Sequence, residues 1–117
     1  MSQPIKLYST INATIIPGAT VTIPVDEEIN VPLNAVGKFF VRLKHGAKGI
    51  TPPDAQFRPG FSGKPKKGIV LINAGANPVD IIKGDEIGEL YLLALYQPPA
   101  VLEEVKTLHQ EHKHNGY

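Results

Sequence analysis

The side chains best suited to acid–base or metal chemistry are crowded near the end of the chain. His109 and His112 are three residues apart, with Glu111 between them and His114 just beyond. On a helix this spacing would place two imidazoles on one face, as a zinc site requires. A polar tail that follows the last apolar turn accounts for the same residues without a ligand, so we predict no metal site and no cofactor.

Two further groups of residues could support catalysis or binding. Ser62 has no histidine and acid arranged near it in the sequence, so a nucleophilic serine is not supported. Three lysines, Lys64, Lys66 and Lys67, could contact phosphate. No aromatic residues alternate with them and no recognition helix is indicated, so we do not expect nucleic-acid binding.

The three lysines belong to a basic segment that runs from residue 38 to residue 67. The net charge of the whole chain is only +1, but this segment sets eight basic residues against Asp54 alone. We predict that it binds an acidic partner through Lys38, Arg42, Lys44, Lys48, Arg58, Lys64, Lys66 and Lys67. A solvated loop with no partner is an equally open interpretation.

Short strands separated by turns must position these side chains. Eleven prolines and eleven glycines are spread along the 117 residues, and the Pro17-Gly18 pair is typical of a type II turn. Apolar and polar residues alternate from Lys38 to Lys44, which predicts a strand, and Gly68–Asn73 is an apolar run that predicts a buried strand. The pattern indicates an all-β domain.

The last twenty residues have a different period. Val101, Val105 and Leu108 lie on one stripe of a helix that follows a Pro-Pro pair. We therefore predict a β domain over residues 1–97 and a helix and tail over residues 98–117. The chain has no cysteine, no apolar run of bilayer length and no signal-peptide pattern, so we expect no membrane association and a cytoplasmic or virion location.

In their order and spacing, these segments resemble the dUTPase and dCTP deaminase superfamily over residues 5–96. Leu7-Tyr8 resembles the end of the first motif, Gly37–Gly46 the strand into the second, and Lys83–Leu90 the fourth. The stretch from Arg58 to Gly63 resembles the proline-glycine turn of the deaminase branch. The resemblance implies a dUTPase-like β-clip, or distorted jelly roll, with a short C-terminal helix added here.

The same resemblance implies chemistry at positions where this chain has other residues. Lys6 replaces the aspartate of the first motif, His45 the serine of the second, and Arg58 the water-activating aspartate of the third. Val70 replaces the deaminase glutamate, and the glycine-rich fifth motif is missing. A shifted alignment would bring in Asp54 but loses the match to the turn. These departures predict a protein without a catalytic site.

The dUTPase branch typically forms homotrimers, which implies a trimer here. We predict its interface at Leu90, Leu92, Leu93, Leu95, Val101, Val105 and Leu108. By analogy, a compact trimer without a catalytic site suits a viral or phage capsid decoration protein bound to a capsid shell. The alternative is a divergent protein that binds or hydrolyses deoxynucleotide triphosphates through Lys44, Arg58 and Asp54.

Overall fold

A computed structural model of the chain describes residues 3–53 and 56–95. These residues form eleven β-strands and one four-residue helix, which confirms the all-β prediction. In chain order the elements are β1 (Ile5–Tyr8), β2 (Ala13–Ile15), β3 (Thr20–Ile23), β4 (Ile29–Asn30), β5 (Ala35–Val41), α1 (Leu43–Gly46), β6 (Ile50–Thr51), β7 (Gln56–Phe57), β8 (Ser62–Gly63), β9 (Ile69–Asn73), β10 (Val79–Ile81) and β11 (Glu86–Ala94). Over the same ranges, none of the helical structure is long and apolar enough to cross a bilayer.

The strands form four antiparallel sheets. The largest, which we call the main sheet, has the order β1-β11-β5-β7, with the nine-residue β11 paired to both β1 and β5. A second sheet has the order β3-β9-β6, and the pairs β10-β2 and β4-β8 complete the set. Non-consecutive strands are neighbours throughout, so the fold depends on long-range pairing.

The core lies between the sheets and is built from the alternating apolar positions. In β5 the buried residues are every second one, and in β9 the same alternation buries Ile69, Leu71 and Asn73. Because side chains alternate across a strand, one face of each sheet contributes to the core and the other faces outward. The buried hydrophobic residues are Leu7, Ile15, Ile23, Val25, Ile29, Val31, Ala35, Phe39, Ile50, Ile69, Leu71, Val79, Ile81, Ile87 and Leu90.

The prediction of a strand from Lys38 to Lys44 is wrong at the C-terminal end of the strand. β5 stops at Val41, and the next residues form α1, in which the Gly46 and Ala47 amides donate to the Arg42 and Leu43 carbonyls. Leu43 is 83% exposed, so the alternation that continues in the sequence no longer points to the core. Backbone hydrogen bonds of the helical turn override the strand pattern here.

The predicted turn at Pro17-Gly18 is confirmed. Gly18 has a φ of 81°, and the Ala19 amide donates to the Ile16 carbonyl at 3.0 Å. Only a residue without a Cβ adopts this conformation readily, which is why the sequence signal is specific. The predicted C-terminal helix lies outside the described residues, so the division into residues 1–97 and 98–117 stays a prediction.

Candidate active site

An open groove of about 710 Å³ crosses the main sheet on the side away from the core. Leu7, Phe39 and Leu90 face the core, so their neighbours along the same strands face outward. The groove runs from β1 across β11 to β5 and the start of α1. Its charged and aromatic lining consists of Lys6, Phe40, Arg42, Glu86, Glu89 and Tyr91.

The centre of the groove is a cross-strand row. Glu89 on β11 is the register partner of Lys6 on β1 and of Phe40 on β5. Neighbouring strands lie about 4.8 Å apart, so an acid, a base and an aromatic ring stand side by side. Lys6 and Glu89 are therefore backbone neighbours across the strand pair, and both side chains line the groove.

A glycine and a register shift shape one end of the groove. A Cβ on Gly88 would lie 2.2 Å from the Phe40 carbonyl oxygen, so only glycine allows β11 to approach β5 so closely. The pairing of β1 with β11 shifts between Leu7 and Tyr8, which sets Glu86 opposite Tyr8. The Arg42 amide donates to the Ile87 carbonyl at 3.0 Å and so holds the start of α1 beside Glu86.

His45 lies in the interior behind α1, not in the groove. Its side chain is 1% exposed, and neither Nδ1 nor Nε2 has a hydrogen-bond partner among the described residues. Burial lowers the pKa of His45, Asp85 opposes that shift, and Lys44, Lys48 and Arg42 reinforce it. The imidazole is therefore neutral near pH 7, and any charge in this segment comes from the flanking lysines and arginine.

The structure brings together some of the positions singled out by the resemblance and separates others. Lys6 of the first motif meets Glu86 and Glu89 of the fourth, and Arg42 joins them from the strand that leads into the second. Arg58 is exposed beyond β7, at the far edge of the main sheet. The third-motif turn of one chain therefore stands apart from the groove of that same chain.

Val70 lines a separate small pocket of about 190 Å³ with Phe39, Phe57 and Gln56. The described residues of this lining include no acid. Asp54, the residue of the shifted alignment, lies outside the described residues.

The eight basic residues of the predicted partner site are distributed over several elements. Of the eight, Arg42 alone lines the groove. Lys38 is half-buried on β5, and Lys64 forms an exposed ion pair with Asp26 at 3.8 Å. An exposed pair of this kind contributes little to stability. Partner binding through Lys38, Arg42, Lys44, Lys48, Arg58, Lys64, Lys66 and Lys67 stays a prediction.

The predicted subunit interface needs one correction. Leu90 is fully buried in the core of its own chain, where β11 covers Leu7 and Phe39, so it is not accessible to a second subunit. Leu92 is half-buried and packs against the core, whereas Leu93 and Leu95 are exposed and accessible. Val101, Val105 and Leu108 lie outside the described residues.

Sequence reasoning missed the aromatic side of the groove. Phe40 and Tyr91 form an edge-to-face pair with ring centroids 5.4 Å apart. A signal was present, because both residues fall on the outward positions of strands with clear alternation. The two rings come together only because β5 and β11, which are distant in the sequence, are neighbours in the sheet.

The chain is similar in sequence to curated viral proteins, although no family model matches it. The deoxyuridine 5'-triphosphate nucleotidohydrolase of Vaccinia virus (strain Copenhagen) is 31% identical over 102 residues, which cover 87% of this chain and 67% of the viral protein. The Variola virus protein of the same name is 30% identical over 102 residues, with the same coverage.

Solved structures share the fold. The native EIAV dUTPase superposes with a TM-score of 0.71 at 22% identity, covering 83% of this chain and 82% of that one. A variant of the Staphylococcus bacteriophage 80alpha dUTPase with dUpNHpp gives a TM-score of 0.69 at 16% identity, covering 83% and 75%. The predicted dUTPase-like fold is confirmed.

The predictions of a non-enzymatic protein and of a capsid decoration role are contradicted by these relatives, which are named as nucleotide hydrolases. The prediction of a non-enzymatic protein depends on four positions, Lys6, His45, Arg58 and Val70, at which this chain differs from the family motifs. The groove on the main sheet nevertheless contains two cations, Lys6 and Arg42, and two carboxylates, Glu86 and Glu89. On identity and coverage, the chain belongs to the dUTPase family.

Proposed function

We propose that this chain binds and hydrolyses a deoxynucleoside triphosphate, with dUTP as the first candidate substrate. The observation that carries the proposal is the groove on the main sheet, where the first and fourth motif segments meet Arg42. A triphosphate needs cations for its oxygens, a place for a metal ion and a carboxylate for the attacking water. The groove offers a candidate for each of these roles.

Lys6 and Arg42 are the phosphate-binding candidates. Both side chains are exposed and line the groove on either side of β11. Arginine presents a planar fork of donors that matches phosphate oxygens in pairs, and lysine acts as a point charge. Together they would clamp the triphosphate across the central strand.

Glu86 fits a magnesium ion. Mg²⁺ in nucleotide enzymes is commonly held by one or two carboxylates together with the phosphates of the substrate, and Glu86 is half-buried in the groove. When bound, the ion would neutralise charge on the phosphate oxygens. No group of three or more acidic or histidine residues that could bind a metal unaided occurs among the described residues, so the substrate would complete the site.

Glu89 is the candidate for activating water. It lies on the central strand between Lys6 and Phe40, and a carboxylate there can accept the proton of a water that attacks the phosphate chain. Arg58 cannot accept a proton, and it stands outside the groove of its own chain.

We further propose a homotrimer, with Leu93 and Leu95 available to a neighbouring subunit, since the family typically assembles in this way.

The test is pyrophosphate release from dUTP by the full chain in the presence of Mg²⁺, combined with calorimetric binding of dUTP. Glu89→Gln should lower kcat by about 100-fold or more while binding is kept, because a general base typically contributes that much. Arg42→Ala should weaken dUTP binding instead, because it removes the guanidinium from the phosphate clamp. Glu28→Gln, an exposed glutamate in the β3–β4 connection, is the matched control. The proposal fails if the unaltered protein neither binds dUTP at millimolar concentration nor releases pyrophosphate.

A further inference from the structure

The short helix α1 places one side chain in the interior of the domain. Of the residues Leu43–Gly46, His45 alone is buried, and its side chain is 1% exposed. The residues around it, from Arg42 to Lys48, are exposed. Arg42 is the N-cap of the helix, but its side chain makes no capping hydrogen bond. The His45 imidazole is therefore the side-chain anchor of this helical turn.

The anchor is held by packing and not by hydrogen bonds. Backbone bonds hold the chain at both ends of the turn, where the Arg42 amide donates to the Ile87 carbonyl and the Ala74 amide donates to the Gly49 carbonyl. Between these points, neither nitrogen of His45 has a partner among the described residues. A buried site without partners accepts a neutral imidazole far better than a charged one, because the charged form loses much more hydration.

The charged groups that act on the imidazole are mostly of the sign it would acquire. Lys44, Lys48 and Arg42 disfavour the protonated ring, whereas Asp85, in the turn before β11, favours it. The strand β6 also contacts α1 and carries no charged residue. Burial is the largest cause that lowers the pKa of His45, and the three cations outnumber the one opposing acid. A proton on this ring is therefore better stabilised in water than in the interior.

We propose that His45 is a pH-sensitive anchor, whose protonation releases α1 from the interior and displaces Arg42 from the groove. Arg42 directly precedes α1 and lines the groove, so a movement of the helical turn moves its guanidinium. The consequence for nucleotide binding rests on the proposed function, in which Arg42 binds the phosphates. Histidine suits this role because its ordinary pKa lies near physiological pH, so mild acid is enough to change its charge.

Amide hydrogen exchange tests the anchor without any ligand, in the unaltered protein and in His45→Leu. The informative amides are those of Gly46 and Ala47, which donate to the Arg42 and Leu43 carbonyls. If the ring takes up its proton in the open form, at the ordinary pKa of 6.5, the open population rises about tenfold between pH 7.5 and 5.5.

After correction for intrinsic exchange, we expect protection of these two amides to fall about tenfold in the unaltered protein over this pH range and to stay constant in His45→Leu. The amides that pair β11 with β5 should stay constant in both proteins. An equal decline in the two proteins, or a parallel loss of protection in β11, would show that acid acts elsewhere and would overturn the proposal.

Calorimetry with dUTP and Mg²⁺ at the same two pH values tests the effect on the groove. The unaltered protein should lose about two- to tenfold more affinity on acidification than His45→Leu, because only its α1 is released by a proton. Titration of dUTP itself is common to both proteins and cancels. Equal losses would overturn the control of the groove by His45. If dUTP bound at neither pH, the proposed function would fail, and the exchange experiment would still decide whether His45 is the anchor.

A second measurement applies if His45→Leu is poorly folded. In the unaltered protein, the ring C–H NMR signals of His45 should titrate with a midpoint below 6.5. The backbone amide signals of α1 should change with the same midpoint. A midpoint at or above 6.5, or α1 signals that do not follow the ring, would overturn the proposal.

Discussion

Asn73 and His45 are both fully buried polar side chains, but they differ in their hydrogen bonding. The Asn73 amide is completely engaged: its Nδ2 donates to the Ile15 carbonyl at 2.7 Å and the Asn77 carbonyl at 2.8 Å, and its Oδ1 accepts from the Gly75 amide at 2.8 Å. The His45 imidazole is just as buried but has no partner for either nitrogen among the described residues.

The difference in pairing between Asn73 and His45 shows which part of the fold uses a buried polar group for stability. Asn73 ends β9 and fixes the loop that leads to β10, so its polarity is used to hold backbone groups that would otherwise be buried and unpaired. His45 lies on α1 near Arg42, Lys44 and Lys48, and its imidazole holds no hydrogen-bonding group of the described residues. An unpaired buried polar group lowers the free energy of unfolding by about 1–3 kcal/mol. The segment that contains His45 is therefore less stable than its degree of burial would suggest.

Of the substitutions considered, replacement of Asn73 is expected to change the free energy of unfolding most. Asn73→Ala removes three hydrogen bonds, two to the Ile15 and Asn77 carbonyls and one from the Gly75 amide. The free energy of unfolding should fall by about 3 kcal/mol in urea denaturation. Asn77→Ala, which keeps the accepting carbonyl, should change it by less than about 0.5 kcal/mol. Equal effects of the two substitutions would show that the Asn73 network is not the source of stability.

Gly49 connects the two regions, and replacing it should have the next largest effect. Its carbonyl accepts from the Ala74 amide at 2.9 Å, its φ is +98°, and a Cβ there would lie 2.5 Å from the Gly75 nitrogen. Gly49→Ala should therefore destabilise the protein by about 2 kcal/mol. Gly46→Ala is the control, because a Cβ there meets nothing within 4 Å. If thermal denaturation gave the same Tm for both variants, the close approach of Gly49 to Gly75 would be refuted.

The smallest expected effect is the pH dependence due to His45. Its pKa is lowered from 6.5 in the folded chain, so the unfolded chain binds more protons and stability falls as the pH drops through 6.5. The slope contributed by this residue is at most about 1.4 kcal/mol per pH unit. Urea denaturation at several pH values between 5.5 and 7.5 would measure it.

The control for this pH dependence is His45→Leu, which keeps the other histidines and removes the buried imidazole. This variant should show a shallower slope below pH 6.5 and should unfold with about 1 kcal/mol more free energy at pH 7.5, because no unpaired nitrogens remain buried. Parallel pH profiles for the two proteins would mean that His45 is protonated or paired in solution, and the comparison with Asn73 would no longer hold.

Local sequence signals predicted most of the framework correctly. The Pro17-Gly18 turn, the strand after it and the apolar run that became β9 depend on backbone preferences and on alternation, which neighbouring residues determine. The end of β5 was predicted wrongly because the alternation continues through Leu43 while the chain forms a helical turn. Periodicity reports which residues are apolar, and it does not report which backbone hydrogen bonds are formed.

The groove could be recognised only from the tertiary structure. Lys6, Arg42 and Glu89 are far apart in the sequence and carry no shared motif that survives in this chain, so reading the positions one by one suggested lost chemistry. The pairing of β11 with both β1 and β5 sets Lys6 directly across from Glu89 and brings Arg42, just after β5, to the same groove. Register is a property of strand pairs, and it decides which side chains of distant segments share a face.

The sequence by itself determined that this protein is a small all-β domain with a dUTPase-like order of strands and turns, because those features follow from local conformation and from the apolar pattern. Only the tertiary structure decided that Leu90 is buried in its own chain, that His45 is buried with no partner in the part of the chain that the structure describes, and that two aromatic rings adjoin a charged groove. These facts depend on which strands become neighbours, and the long-range contacts that select those neighbours leave no signal in any one segment.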